Sequence, residues 1–138
     1  MSSENAILKI LEGHKLRKTK IRLEILQLFG ERNYALSQND IEESLHTYDR
    51  VTVYRTLKSF EEQGIIHRII DDSGISKFAI CGSCDTHQHH DKHVHLSCIK
   101  CGNTFCLDQA LPEIKAPKGY TFLNYSLLVQ GICENCNK

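Results

Sequence analysis

Cysteine and histidine residues are concentrated in the second half of the chain, at spacings that are typical of metal ligands. Six of the seven cysteines form three Cys-x-x-Cys pairs, and Cys106 stands apart from them. Five of the eight histidines lie between the first pair and the second. A two-residue gap lets both sulfurs of a pair reach one ion from a tight turn, and in a cytosolic protein this pattern favours metal thiolates over disulfides.

Two of the pairs have the spacing of a four-thiolate zinc site. Cys98, Cys101, Cys133 and Cys136 can together complete a closed tetrahedron around one Zn²⁺, which is the arrangement of a structural site. The last part of the chain, residues 94–138, is smaller than chains that usually fold alone, so metal binding would stabilise it. A redox dithiol and unrelated buried cysteines are the alternatives.

His93 and His95 indicate a second metal site of a different kind. Residues two apart on a strand lie on one face, so both imidazoles can reach one ion. The other ligands must come from Cys81, Cys84, His87, His89, His90, Asp91 or Cys106. We predict a regulatory site that is built from His93, His95, Cys81, Cys84 and His90. A His-rich loop that binds metal adventitiously is the alternative.

The chain before these residues has the pattern of a small helical domain. Apolar residues at helical spacing predict helices over 3–13 and 19–30, with Thr19 as the N-cap of the second. A third helix begins with the capping-box pattern of Ser37 and Asp40, and a fourth is capped by Asp49. The fourth helix ends at Gly64, where a left-handed residue is needed.

Two short runs, 65–70 and 75–80, then flank a polar turn, which predicts a β-hairpin. Helices followed by a hairpin make a winged helix-turn-helix, with the fourth helix in the major groove and the hairpin beside the DNA backbone. A small helical bundle with an inert polar face is the alternative. Farther along the chain, strands are predicted over 94–99, 104–107 and 120–129.

The charge distribution fits this prediction better than the total charge does. The formal net charge is zero, but the segment 14–22 carries five lysines and arginines and no acid. A local basic patch can contact phosphate if it lies on the correct face, although such a run is also typical of a solvated helix start. The sequence has no apolar run that could span a bilayer and no signal-peptide pattern, so we expect a cytoplasmic protein.

Several motifs in this order resemble the ferric uptake regulator (Fur) family of bacterial metal-dependent repressors. They are VTVYRTL at 51–57, GII at 64–66, HVHLSCIKCG at 93–102 and GICENC at 131–136. The resemblance runs from about Lys15 to Cys136. It implies a homodimer that closes onto an AT-rich operator of metal-homeostasis genes when metal binds, and so acts as a repressor.

The same resemblance marks residues for DNA contact. Tyr54 and Arg55 look like the family's base- and phosphate-contacting residues, and Arg22 matches a further contact. Arg17 stands where the family uses a basic residue in the minor groove. Arginine suits phosphates and narrow minor grooves, and tyrosine can pack on thymine methyl groups. The predicted DNA-binding residues are Arg17, Arg22, Thr52, Tyr54 and Arg55.

The departures from the family pattern concern the metal that is sensed. Ala35 or its neighbours stand where a histidine is usual, and Ala79 stands where an acid is usual. Cys81 falls where zinc-sensing members have a thiolate, and Cys106 where peroxide-sensing members have a carboxylate. Because thiolates favour zinc over ferrous iron, we predict Zn²⁺ as the regulatory metal as well as the structural one. Fe²⁺ is the alternative, in the same class of repressor.

The sequence thus predicts an α+β protein in three parts. A winged-helix DNA-binding domain occupies 1–80, a His/Cys-rich hinge occupies 81–93, and a small α/β dimerisation domain stapled by the four-cysteine zinc site occupies 94–138. An open catalytic zinc is the competing enzyme class, but no carboxylate stands in a suitable H-E-x-x-H context. A thiol redox switch at Cys81 and Cys84 is the other competitor. We expect double-stranded DNA and a second copy as partners, and no enzymatic activity, small-molecule substrate or membrane contact.

Overall fold

Helices dominate the first half of the protein in the computed structural model, which describes residues 2–80, 93–123 and 125–138. The helices are α1 (Ser2–Gly13), α2 (Lys20–Arg32), α3 (Gln38–Ser44) and α4 (Arg50–Glu62). The strands β1 (Leu36–Ser37), β2 (His67–Ile70) and β3 (Ser76–Ala79) form an antiparallel sheet in the order β1-β3-β2. The predicted hairpin is therefore present as β2 and β3, which form the wing.

Side-chain caps begin three of the helices where the sequence predicts them. The Thr19 hydroxyl accepts from the Arg22 N–H, and the Asp49 carboxylate accepts from the N–H of Thr52. Ser37 and Asp40 make the reciprocal capping box that begins α3. Each cap satisfies a backbone donor that has no partner inside its helix.

The end of α2 was predicted at Gly30, and this is wrong. The helix continues to Arg32 and ends at Asn33, which has a left-handed φ of 46°. A glycine inside a helix costs only about 1 kcal/mol relative to alanine, and asparagine adopts the left-handed region more readily than most residues. The predicted left-handed Gly64 is confirmed, with a φ of 80°.

The core of the first half lies between the helices and the wing. Val53, Leu57 and Phe60 form the buried stripe of α4, as its periodicity predicts, and pack with buried residues of α1 and α2. Tyr54, on the opposite side of α4, is 49% exposed. Among the helices that the structure describes, none has the length and apolar character that crossing a bilayer requires.

The second half contains a mixed sheet of β4 (His93–Cys98), β5 (Thr104–Ala110) and β6 (Leu127–Gly131), in the order β5-β4-β6. β4 pairs antiparallel with β5 and parallel with β6. The predicted start of the last strand at residue 120 is wrong, because β4 offers ladder partners to 127–131 alone. A strand needs a paired neighbour, and Tyr120 and Leu123 are instead 70% and 93% exposed.

Candidate metal centres and nucleic-acid interface

The parallel pairing of β4 and β6 brings the four predicted zinc ligands together. Parallel strands end at the same edge of a sheet, and here Cys98 ends β4 opposite Gly131, which ends β6. The segments that follow these strands carry the other cysteines back to that edge. The sulfurs of Cys98, Cys101, Cys133 and Cys136 all lie within 4.8 Å of one another.

Backbone groups prepare this cluster for a cation. The Cys98 sulfur accepts from the N–H of Cys133 at 3.3 Å and from that of Cys101 at 3.5 Å. These N–H groups lower the pKa of Cys98 to about 6, because they stabilise the thiolate. Contact with the Cys133 side chain and burial raise the pKa of Cys136. Four cysteine sulfurs, one of which readily forms a thiolate, fit the tetrahedral coordination of Zn²⁺.

A second group of metal-binding side chains bridges the two sheets. Nitrogen atoms of His67 on β2 and His95 on β4, and the sulfur of Cys106 on β5, lie within 4.8 Å of one another. The Nε2 atoms of the two histidines are 3.4 Å apart, and both side chains are buried. His95 and Cys106 are direct partners in the β4–β5 ladder. The set has three donors and so leaves room for a further ligand.

The geometry does not test the other predicted regulatory ligands. Cys81, Cys84 and His90 lie outside the described residues, and so do His87, His89 and Asp91. His93 begins β4, two residues before His95, but the β4–β5 pairing shifts register between them. For His93 the structure describes the backbone alone. The proposed roles of these residues stay predictions.

His67 was missed in the sequence prediction of the metal site. It lies in the wing, 28 residues before its neighbour His95, so no local spacing connects the two. A weaker signal was present: the β2 side chains alternate between buried and exposed, and His67 takes an inward position together with Ile69. In the wing ladder His67 pairs with Ala79, the position where the family pattern has an acid.

Four of the five predicted DNA-binding residues are exposed, and Arg22 is half-buried. On α4, Thr52, Tyr54 and Arg55 are all exposed, and Val53 between them is buried. Arg17 is exposed in the segment between α1 and α2, and its carbonyl accepts a 2.7 Å hydrogen bond from Arg22. The two arginines are thereby held close to each other. Their predicted contacts with DNA are not tested by this geometry.

Comparison with known proteins agrees with this arrangement. The sequence model of the ferric uptake regulator family matches residues 13–130. A ferric uptake regulation protein of Bordetella parapertussis is 30% identical over 93% of this chain and 94% of its own. The solved structure of a zinc uptake regulator with zinc and DNA has a TM-score of 0.71 and 22% identity, and covers 99% of this chain and 96% of that one. The iron-bound ferric uptake regulator of Francisella tularensis has a TM-score of 0.55 and 26% identity, with 89% and 96% covered.

A winged helix followed by a small sheet that gathers four cysteines defines a class of metal-dependent DNA-binding regulators. The match over residues 13–130 makes the assignment more specific. The chain belongs to the ferric uptake regulator family. Its members are metal-responsive transcription regulators and not enzymes, so the competing catalytic-zinc hypothesis is set aside.

Proposed function

We propose that the protein is a zinc-responsive transcriptional repressor that acts as a homodimer on double-stranded operator DNA. Cys98, Cys101, Cys133 and Cys136 hold a structural Zn²⁺, and His67, His95 and Cys106 contribute to a separate regulatory Zn²⁺ site. The observation that carries the proposal is the second cluster, because its three donors come from strands of both sheets.

Such a site converts metal binding into a change of shape. An ion at this position would fix the wing against the second sheet, because His67 belongs to the first and His95 and Cys106 to the second. A ligand that binds one arrangement better than others shifts the protein toward it. The wing is continuous with α4, so the regulatory metal would set how the exposed side of α4 is presented to DNA.

The donor set supports zinc as the signal. Two imidazoles and one thiolate suit Zn²⁺, whereas ferrous iron prefers oxygen and imidazole ligands here. Cys106 therefore supports the sequence prediction of zinc, although Cys81 and Cys84 lie outside the described residues. Among the structural relatives, one regulator was solved with zinc and DNA and another with iron, so the metal must be decided for this chain by experiment.

Exposed apolar side chains support a dimer through residues 94–138. Tyr120, Phe122, Leu123, Leu127, Val129 and Ile132 are all exposed in this half of the chain. A surface that carries many large apolar side chains is more often covered by another protein than left in contact with water. We propose 1–80 as the DNA-binding domain, 81–93 as the hinge and 94–138 as the dimerisation domain.

The test is a metal titration that is read out by DNA binding. Full-length protein is purified under reducing conditions, its zinc content is measured, and random duplexes are selected for binding in the presence of Zn²⁺ or Fe²⁺. The selected DNA is then titrated with each metal in turn. We expect one tightly held zinc per subunit and a second zinc that switches on DNA binding.

Two results would overturn parts of the proposal. Switching by Fe²⁺ and not by Zn²⁺ would keep the repressor but refute zinc as the signal. DNA binding that ignores both metals would refute the regulatory site, and a redox dependence of the same binding would then favour the thiol switch.

A further inference from the structure

The turn of the wing is held by the second sheet through both of its aspartates. Asp71 and Asp72 follow β2 directly, and each makes side-chain hydrogen bonds to residues beyond the wing. The Thr104 hydroxyl donates to Asp71 at 2.7 Å, and the Ser97 hydroxyl donates to Asp72 at 3.1 Å. Gln130 also donates to Asp72, at 2.9 Å. One carboxylate thus reaches β5, and the other reaches β4 and β6.

The three partners form a single row across the sheet, which we call the polar row (Thr104, Ser97 and Gln130). Ser97 pairs with Thr104 in the antiparallel ladder and with Gln130 in the parallel one. Thr104 is fully buried and Ser97 is 6% exposed. Buried hydroxyls are costly unless they are hydrogen-bonded, so the sheet requires the acceptors that the wing turn supplies.

Lys77 of β3 completes the contact. Its ammonium lies 2.9 Å from the Asp71 carboxylate and 3.3 Å from the Gly102 carbonyl of the second sheet's hairpin. Burial raises the pKa of Asp71, but hydrogen bonds from Ser73, Lys77 and Thr104 more than offset this and hold the pKa well below its ordinary value. The carboxylate is therefore a permanent acceptor at neutral pH.

The polar row lies beside the bridging metal ligands. Residues two apart on a strand share a face, so Ser97 follows His95 on the same face of β4, and Thr104 precedes Cys106 on the same face of β5. On the wing, His67 and Asp71 are likewise an even number of residues apart. The wing therefore crosses two adjacent rows of the sheet, with His67 at the metal-binding row and Asp71 at the polar row, and the hydrogen bonds of Asp72 place it at the polar row as well.

We propose that Asp71, Asp72 and Lys77 are positioning residues that dock the wing on the polar row and so align His67 with His95 and Cys106 before metal binds. The wing turn then contacts the second sheet and not the DNA backbone, because the phosphates would repel its two carboxylates. This inference rests on the proposed regulatory site for its effect on metal affinity. The docking itself does not depend on metal.

The test removes the hydrogen bonds between the aspartates of the wing turn and the polar row, and leaves the contacts of Lys77 with Asp71 and Gly102 in place. Thr104→Val deletes the donor to Asp71 but keeps the Asp71–Lys77 pair, and Asp72→Ala deletes the exposed acceptor. The combined full-length variant is compared with the wild type and with Glu12→Ala, a charge-matched control on the exposed side of α1. We measure X-ray scattering of the protein that holds only its tight zinc, the affinity for a further Zn²⁺, and thermal unfolding.

We expect the double variant to keep its tight zinc and its unfolding transition, to scatter as a more extended particle, and to bind the further Zn²⁺ at least about tenfold more weakly. Unchanged scattering and unchanged affinity would overturn the docking. A wild type that binds no further zinc, together with a variant that still scatters as more extended, would refute the regulatory site and support the docking. A variant that fails to fold is replaced by Asp72→Ala alone, for which the same two measurements decide.

Discussion

The two cysteine-containing clusters differ in what they hold together. The four-cysteine cluster lies at the ends of β4 and β6 within one sheet, and all of its donors are thiols. The bridging cluster connects β2 of one sheet with β4 and β5 of the other, and it mixes two imidazoles with one thiol. A closed site within one sheet stabilises that sheet, whereas a site between two sheets couples metal to their relative position. The location of each cluster in the fold therefore supports the roles that we propose, structural for the four-cysteine cluster and regulatory for the bridging cluster.

Replacing Cys98 with serine would have the largest effect expected from this comparison. Structural zinc binds zinc-finger peptides with an apparent free energy of roughly 10–16 kcal/mol. Cys98 is one of the two buried members of the cluster, and backbone N–H groups stabilise its thiolate. We expect the variant to lose its zinc, the order of the second sheet and the dimer. Zinc content, amide hydrogen exchange of β4 and sedimentation measure these losses. Cys106→Ser is the matched control and should retain the tightly held zinc, the order of the second sheet and the dimer. A Cys98→Ser dimer that still holds this zinc would refute the assignment.

Replacing His67 with alanine should have the opposite pattern of effects, and should impair the bridging cluster but not the four-cysteine cluster. The variant should keep its tight zinc and its dimer, because His67 lies outside the second sheet. Its regulatory zinc should bind at least about 100-fold more weakly. Loss of a residue that only contacts a metal ligand already weakens binding by about 10–100-fold, and His67 is proposed as a direct ligand. A zinc titration of DNA binding measures this. His46→Ala, at an exposed histidine between α3 and α4, is the control, and equal behaviour of the two variants would exclude His67 as a ligand.

Replacing Cys106 with aspartate tests the donor chemistry and not the position of the bridging cluster. A carboxylate keeps a negative ligand at the same place but replaces sulfur by oxygen, which suits ferrous iron better than a thiolate does. We expect the ratio of zinc to iron affinity to fall by roughly tenfold, measured by competition between the two metals. Cys106→Ser, which removes the anionic ligand altogether, should weaken both metals. An unchanged ratio in the aspartate variant would show that Cys106 does not contact the ion.

The smallest effect concerns an ion pair that belongs to neither cluster. Arg68 of β2 donates to both oxygens of Glu61 on α4, at 3.2 and 3.1 Å, and both side chains remain partly exposed. Such pairs contribute about 0–1 kcal/mol. We expect Arg68→Ala to lower the free energy of unfolding by at most about 1 kcal/mol, with both metal affinities unchanged. Urea unfolding in a double-mutant cycle with Glu61→Gln measures the coupling, and a changed zinc affinity would show that the pair also positions the wing.

Local chemistry explains which features could be predicted from the sequence. The caps at Thr19, Ser37 and Asp49 depend on side chains that reach a backbone N–H three residues away, so the pattern is complete within a short segment. The buried stripe of α4 follows from helical periodicity. The grouping of Cys98, Cys101, Cys133 and Cys136 was predictable because the spacing within each pair is itself a signature of metal binding.

Features that depend on tertiary pairing could not be predicted. His67 becomes a candidate ligand only because the fold brings its side chain to those of His95 on β4 and Cys106 on β5. Nothing in the sequence of the wing indicates this contact. The start of β6 at Leu127 depends on where β4 offers backbone partners, since Tyr120 and Phe122 favour strands equally well by type. The parallel pairing of β6 with β4 was likewise not predicted, because the sequences of two distant strands do not show whether they pair in parallel or antiparallel.

That parallel pairing also bears on how fast the protein folds. Cys101 and Cys133 are in contact although 32 residues separate them in the sequence, and closing such a loop costs chain entropy before the ladder contributes any stability. Thiolates that bind an ion in the unfolded chain would close this loop first. The segments of β4 and β6 would then already be close together and would pair sooner. We expect refolding of the second sheet to be faster when zinc is present from the start than when it is added after dilution from denaturant. Zinc supply would then govern how soon a newly made chain becomes a regulator, in addition to how the finished regulator responds.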